Sequence, residues 1–488
     1  MLISVLYTLT VLWLSVYAFQ SLLLTVLYLR HRREATPSAE VEAGQWPRVA
    51  VQLPIFNEQH VVERLIDAAA ALDYPPDRLE IQVLDDSTDR TTELAEARAA
   101  WHRSRGVNVC VLRRPERSGF KAGALAWGLA RTSAEFIAVF DADFRPHPDF
   151  LRRVIPPMLA RPDVGMAQTR WSHLNEDYSP ITRVQSLALD GHFVIEQAAR
   201  SRSGLLINFN GSGGVWRRAC IEQAGGWQAD TMTEDMDLSY RAQLVGWHNL
   251  FLPDVDAPAE LPAQMEAFKK QQARWAQGSV QCLRKLSWRI VTSDLSLRQK
   301  VMALVHISGY FTQPLMVALL LISLPLVLLP QSPQPLGMVL ALLAVGPPLL
   351  FAVAQASLHR DWARRFLYFP LLLVVGAGIT WSTTGAVWEG LTRWGGTFRR
   401  TPKFQIEGRR GEWAGSAYRL APDRLVLGEL VLMLYAIVSG VAAWANGRYA
   451  TIPVLALFAI GYGLVASMSL FQGRRHAALK ASLSNHPI

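Results

Sequence analysis

Two stretches of this chain are too long and too free of charge to be core elements of an ordinary soluble domain. Leu2 to Leu29 carries no Lys, Arg, Asp or Glu over 28 positions, and Val301 to Leu358 carries none over 58. About 20 apolar residues suffice for a helix to cross a bilayer. The first run therefore reads as one spanning helix within residues 1–33, and the second as a hairpin of two, turning at the proline-rich Pro330 to Pro335. Phe366 to Trp388 is a further apolar stretch, and Leu425 to Gly447 with Tyr449 to Gly473 forms a last hairpin around Arg448. Residues 34–300, lying between the first two runs, turn globular in composition. The expected organisation is a soluble domain at 34–300, a membrane region at 301–392, a basic loop at 393–424, a hairpin at 425–473 and a tail at 474–488.

The net charge of +9 raises the question of nucleic acid. Its basic residues gather beside the apolar runs rather than in an aromatic-interleaved patch, so membrane orientation explains them and nucleic acid is not an expected partner. Arg30, His31, Arg32 and Arg33 follow the first run directly. A cleaved signal has its positive charge before a shorter apolar core; this order is the reverse, and predicts a retained helix whose C-terminal side faces the cytoplasm. The same rule assigns His359 to Arg365, Arg393 to Lys403 and the tail from Arg474 to that side. Phe366 to Trp388 then has to enter and leave on one side, yet it is too short to cross twice, which predicts a re-entrant or interface-lying segment; a single crossing, with one basic flank on the other side, is the alternative. Cys110, Cys220 and Cys282 are too dispersed for a zinc or disulfide framework.

Within the soluble part, VAVQL at Val49 to Leu53, IQVL at Ile81 to Leu84, VCVL at Val109 to Leu112 and FIAVF at Phe136 to Phe140 read as strands. Helical patterns cover roughly Glu58 to Leu72, Thr88 to Ser104 and Lys121 to Arg131. Strands alternating with helices predict right-handed crossovers and a mainly parallel sheet, with its ligand site at the carboxyl ends of the strands. Two acidic clusters fall at such ends.

The first is DDSTD, Asp85 to Asp89; the second is DAD, Asp141 to Asp143. Two carboxylates one residue apart suit a hard divalent cation, Mg²⁺ or Mn²⁺, shared with substrate phosphates. They equally suit the cap of a following turn. Ser87 or Thr88 would serve as a helix N-cap, which leaves Asp85 and Asp86 for a base or ribose. PIFNE brings Phe56, Asn57 and Glu58 to the same edge, where Phe56 would stack on a nucleobase or simply pack. In QQARW, Arg274 offers a planar fork for diphosphate oxygens, Trp275 a flat face for a sugar ring, and Gln271 an assisting amide. The glycines of FNGSGG, Phe209 to Gly214, suit close approach of a ligand to backbone.

Taken in order over about 250 residues, PIFNE, VLDDSTD, FKAGAL, FDADF, FNGSGG, TEDMDL and QQARW resemble the processive branch of glycosyltransferase family 2, in particular the cellulose synthase-like glucomannan and glucan synthases. The resemblance implies an α/β GT-A-type, Rossmann-like, mainly parallel catalytic domain facing the cytoplasm beside an α-helical transmembrane region. It implies that Phe56, Glu58, Asp85, Asp86, Lys121 and Asp141 hold the nucleotide, and that Asp143 holds the metal. Gln271, Arg274, Trp275, Glu234 and Asn210 would serve the diphosphate and acceptor, and Asp235 would be the general base. Thr401 and Lys403 fall in a stretch similar to the gating loop of polysaccharide synthases. Ala273 departs from the plant pattern, where a His is common.

The implied activity is elongation of a β-linked glycan from UDP-glucose, GDP-mannose or GDP-glucose with inversion, at the inner or plasma membrane, with translocation of the product. A lipid glycosyltransferase resembling the ceramide glucosyltransferases is the alternative, with a lipid in place of the growing glycan as acceptor. Trp13, Tyr17, Tyr310, Phe311 and Trp381 suit either a glycan channel or interface belts.

Overall fold

The computed structural model describes residues 2–42, 44–329, 343–396 and 401–484, with helical backbone alone over 474–484. The expected turn at Pro330 to Pro335 lies outside the described residues, as do the last four residues of the tail. Seven strands form one sheet: β1 (Val49–Ile55), β2 (Leu79–Asp85), β3 (Val109–Arg113), β4 (Phe136–Val139), β5 (Val164–His173), β6 (Gly214–Arg217) and β7 (His248–Ala259). Their order is β3-β2-β1-β4-β6-β5-β7, with β6 antiparallel to both neighbours and every other pairing parallel. The four strands read from the sequence are β1 to β4, each within two residues of its expected bounds.

Strands β1, β2 and β4 are buried on both faces, as parallel strands sandwiched by helices must be. Val49, Val51 and Leu53 pack with Leu65 and Ile66 of the helix Val62–Ala70 and with Ala95 and Ala99 of Thr91–Arg103. On the other face Ala50, Leu84, Ile137 and Val139 meet Leu125 of Phe120–Leu129, together with Phe209 and Trp216. Each such fully buried Val, Leu or Ile side chain contributes ~1.5–3 kcal/mol. The order reverses at β1, which pairs with β2 on one side and β4 on the other. A crevice opens at the carboxyl ends of strands flanking such a switch, and PIFNE, DDSTD and DAD all lie there.

Among the described residues four helices are long and apolar enough to cross a membrane: Leu2–His31, Gly309–Leu328, Leu425–Ala445 and Tyr449–Gly473. The pair Trp362–Gly378 and Thr380–Thr392 is bent by 49° at Ile379, so the segment that the charge rule would not allow to cross once is broken in its middle. Gly378 and Gly461 let two of these helices touch backbone to backbone. A Cβ on Gly378 would stand 2.3 Å from the Gly461 carbonyl oxygen, and one on Gly461 would stand 2.6 Å from that of Val374. Small residues at membrane helix crossings permit this approach. Trp13 is 54% exposed and donates its indole N–H to the Tyr17 hydroxyl, which in turn donates to the Ser308 carbonyl.

The long helix Met265–Thr292 packs between the helix Glu234–Leu244 of the catalytic domain and the membrane helices. Its Ala276 and Val280 pack against Ala386 and Val387 of the bent pair. Elsewhere Arg365 grips both oxygens of Glu176 at 2.9 and 3.0 Å.

Candidate active site

Phe56 and Asp86 are held by a cross-link between the ends of β1 and β2. Asn57, at a φ of 56°, donates its backbone N–H to Ser87 Oγ at 2.9 Å, and its Oδ1 accepts from the Thr88 N–H at 2.8 Å. A left-handed backbone suits Asn better than most residues. Beyond β3, Arg114 grips both oxygens of Asp86 at 2.8 and 2.6 Å, and Arg117 lies 3.4 Å over the Phe56 ring. Neither arginine belongs to a motif that the sequence singled out. Their position just past the carboxyl end of a strand adjoining β2 is the signal that would have found them.

From β4, Asp141 and Asp143 enter the same space. Lys121 Nζ sits 2.6 Å from Asp141 Oδ1 and donates to the Gly211 carbonyl at 2.8 Å. Burial pulls that ammonium down, but Asp141 and Glu234 outweigh burial and hold it above its ordinary range. Gly211, at a φ of 88°, lies against the helix Glu234–Leu244; a Cβ there would stand 2.9 Å from Asp235 Oδ2. Asp235, half-buried in the cavity wall, is largely desolvated and adjoins Glu234. Together these push its carboxyl up to about 7, against the pull of Lys121 and Arg274.

Helix Met265–Thr292 closes the far side with Gln271, Arg274 and Trp275. It is locked to the Asp235 helix through Lys285, 3.0 Å from Asp237. The stretch 401–424 covers the remaining side. Lys403 Nζ lies 2.5 Å from Asp143 Oδ2, the Phe404 N–H donates to Glu260 Oε1 at 2.8 Å, and Glu407 pairs with Arg64 at 3.1 Å and Arg145 at 3.0 Å. The Tyr418 hydroxyl donates to Asp89.

One cavity is thus lined by Phe56, Glu58, Asp86, Lys121, Asp141, Asp143, Asn210, Glu234, Asp235, Gln271, Arg274, Trp275, Thr401 and Lys403. Trp171, not anticipated from the sequence, also faces it. Asp85 does not. Its side chain turns into the sheet's edge, where it accepts from the Ser87 N–H at 2.8 Å and the Thr92 hydroxyl at 2.7 Å. Successive side chains of a strand point to opposite faces, so only one of the two adjacent aspartates reaches the cavity. The anticipated N-cap at Ser87 or Thr88 is replaced as well: the helix begins at Thr91, whose N–H donates to Asp89 Oδ1 at 3.0 Å.

Among the described residues no cluster of three or more His, Cys, Asp or Glu side chains is poised for a metal. The donor set suits a cation that takes one or two carboxylate oxygens and completes its shell with water or phosphate. Asp143 already has a positive group, the Lys403 ammonium, against its Oδ2.

A switch-point crevice carrying strand-end carboxylates, a pair of acids at a helix start and an Arg/Trp pair on a closing helix defines a GT-A-type glycosyltransferase. The fold is shared with the mannosyltransferase PcManGT from Pyrobaculum calidifontis, solved in complex with GDP-Man and Mn²⁺. The TM-score is 0.54 and the identity 22%, over 79% of this chain and 99% of that one. Residues 47–278 match the family model described as glycosyltransferase like family 2. Glucomannan 4-beta-mannosyltransferase 2 of Arabidopsis thaliana is 34% identical over 461 residues, 88% of this chain and 83% of its own. Probable glucomannan 4-beta-mannosyltransferase 2 of Oryza sativa subsp. japonica is 43% identical over 262 residues, 53% of this chain and 45% of its own. The chain belongs to glycosyltransferase family 2, and is an integral membrane member of it.

Proposed function

We propose that the protein elongates a β-linked, mannose-containing glycan from GDP-mannose with inversion at the anomeric carbon, and passes the product into its membrane region. One observation carries this reading: Asp143, Asp235 and the pair Arg274 and Trp275, from three separate segments, line a single cavity whose wall is the helix packed on the membrane bundle. The mannosyl donor is supported by the names of the relatives, glucomannan 4-beta-mannosyltransferases. Polymer elongation rather than transfer to a lipid rests on the same relatives.

In this mechanism Asp86, Phe56, Glu58 and Asp141 hold the nucleoside, and Lys121 neutralises Asp141 beside it. Trp275 offers its face to the acceptor sugar, with Asn210, Glu234 and Gln271 as polar partners. Asp235 removes the acceptor hydroxyl's proton as that oxygen attacks, and a single displacement inverts the centre. Arg274 takes up charge on the departing diphosphate. A divalent cation at Asp143, Mg²⁺ or Mn²⁺, would share that charge. Thr401 and Lys403 belong to a gate over the nucleotide. The basic flanks at Arg30 to Arg33 and His359 to Arg365 support a cytoplasmic catalytic side, in the inner or plasma membrane.

A donor panel on purified membranes tests this. GDP-mannose with Mn²⁺ or Mg²⁺ is expected to give polymer sensitive to a β-mannanase, with incorporation stopped by EDTA and restored by the cation. UDP-glucose as the sole effective donor, or product extracted wholly into organic solvent, would overturn the reading.

A further inference from the structure

The helix that carries Gln271, Arg274 and Trp275 is fixed at its first turn by the 401–424 stretch and the C-terminal membrane hairpin, not by a cap of its own. Gln264, at its N-cap, makes no capping hydrogen bond to the helix. Instead Gln264 Nε2 donates to the Leu420 carbonyl at 2.6 Å, and its Oε1 accepts from the Leu420 N–H at 3.0 Å. The Met265 N–H, one of the donors a helix start leaves without an intrahelical partner, donates to Gln472 Oε1 of the last spanning helix at 3.0 Å.

One turn further on stands an ionic cluster closed off from water. Lys269 Nζ is 2.6 Å from Glu429 Oε1 and 3.2 Å from Glu266 Oε1. Lys269 is 2% exposed, Glu266 1% and Glu429 0%. Glu429 lies in the second turn of the span Leu425–Ala445, so this is a charge pair between a membrane helix and the active-site helix. Buried pairs of this kind are weak stabilisers, because desolvation offsets most of the Coulombic gain, but removing one partner strands a charge. What they do well is fix register. Arg274 and Trp275 follow Lys269 by five and six residues, about one and a half turns of rigid helix. A shift at Lys269 is carried to both.

We propose that Lys269 and Glu429, with Glu266, are positioning residues that set the register of Arg274 and Trp275 against the acceptor, and so tie the transfer step to the seating of the C-terminal hairpin. The proposal rests on the roles given above to Arg274 and Trp275. A misplacement of about 1 Å can cost ~10²-fold in rate, and its signature differs from that of a lost ligand contact. Donor still binds, but the acceptor hydroxyl is badly placed, and water takes more of the sugar.

The test uses the full chain in lipid nanodiscs with GDP-mannose and Mn²⁺. It reads transfer, free mannose released, GDP affinity and melting temperature. Glu429→Gln is expected to lower transfer by about 10-fold or more and to raise the share of donor hydrolysed, with GDP affinity within about twofold. Glu429→Asp, which keeps the charge and shortens its reach, should move the same partition less far. The exchange Lys269→Glu with Glu429→Lys preserves two carboxylates around one ammonium, and should recover most of the transfer. Wild-type transfer and partition in Glu429→Gln would overturn the proposal. So would an exchange variant that melts like wild type yet stays as impaired as Glu429→Gln. Arg274→Ala separates the two levels: normal transfer there removes the roles assigned to this helix, whereas its loss beside a normal Glu429→Gln removes only the register device.

Discussion

Asp235→Asn is expected to lower transfer by about 10²–10⁴-fold, the usual contribution of a general base, with GDP affinity unchanged within about twofold. The carboxyl, pushed up to about 7 by burial and by Glu234, must lose its proton before it can accept another. Wild-type transfer should therefore rise with pH through about 7 and level off above it. Stability runs the other way. Because the folded-state pKa lies above the unfolded value of 3.8, the folded protein retains a proton that the unfolded chain has released. That contribution is complete below pH 3.8 and is lost as pH rises through about 7. Asn has no proton to lose, so the variant should melt higher than wild type at pH 8. One pKa unit is worth ~1.4 kcal/mol, which makes the difference on the order of a few kcal/mol. A variant that kept a tenth of wild-type transfer would remove Asp235 from the role of base, and one that melted lower at pH 8 would remove the raised pKa.

The second large effect is expected at Asp143. Asp143→Asn should lower transfer by about 10²–10³-fold, the scale for loss of one preorganised electrostatic contact to the reacting groups. It should also unfasten the 401–424 stretch, because Lys403 is buried and its carboxylate partner would be gone. Burial lowers the lysine's affinity for its proton; Asp143, with Glu260 and Glu58, restores and exceeds it. Two measurements separate these consequences. Mn²⁺ binding with GDP, followed by electron paramagnetic resonance, should vanish in Asp143→Asn and persist in Lys403→Met. Proteolysis within 401–424 should quicken in both variants. Wild-type Mn²⁺ binding in Asp143→Asn would show that the metal site lies elsewhere.

Much of this site was legible because its parts sit at strand ends. The runs at β1, β2 and β4 locate the edge, and the residues after each run are then committed to it. The reading failed where geometry finer than an element decides. Asp85 and Asp86 are equivalent in sequence, but the pleat sends one into a turn and the other into the cavity. Arg114 and Arg117 lie among other arginines with no period to mark them. Strand β6 was hidden because its sequence begins in a glycine-rich run that reads as loop, and because an antiparallel strand inside a parallel sheet breaks the alternation that identified its neighbours. Lys403 meets Asp143 across 260 positions, and nothing local to either residue announces the pair; only the resemblance put that loop near the nucleotide.

The helix Met265–Thr292 also bears on where one domain ends and the next begins. By composition the soluble part stops near residue 300, and a boundary drawn there looks like a place to cut. Yet this helix packs one side on Ala386 and Val387, hands its first backbone donor to Gln472, and shares its lysine with Glu429. A fragment ending at residue 300 would keep every motif of the transferase and lose the partners that complete this helix. The catalytic helix and the membrane hairpin are therefore not separable modules. A change in the bundle that resettles the hairpin reaches the catalytic helix directly, through the contacts at Gln472, Glu429, Ala386 and Val387.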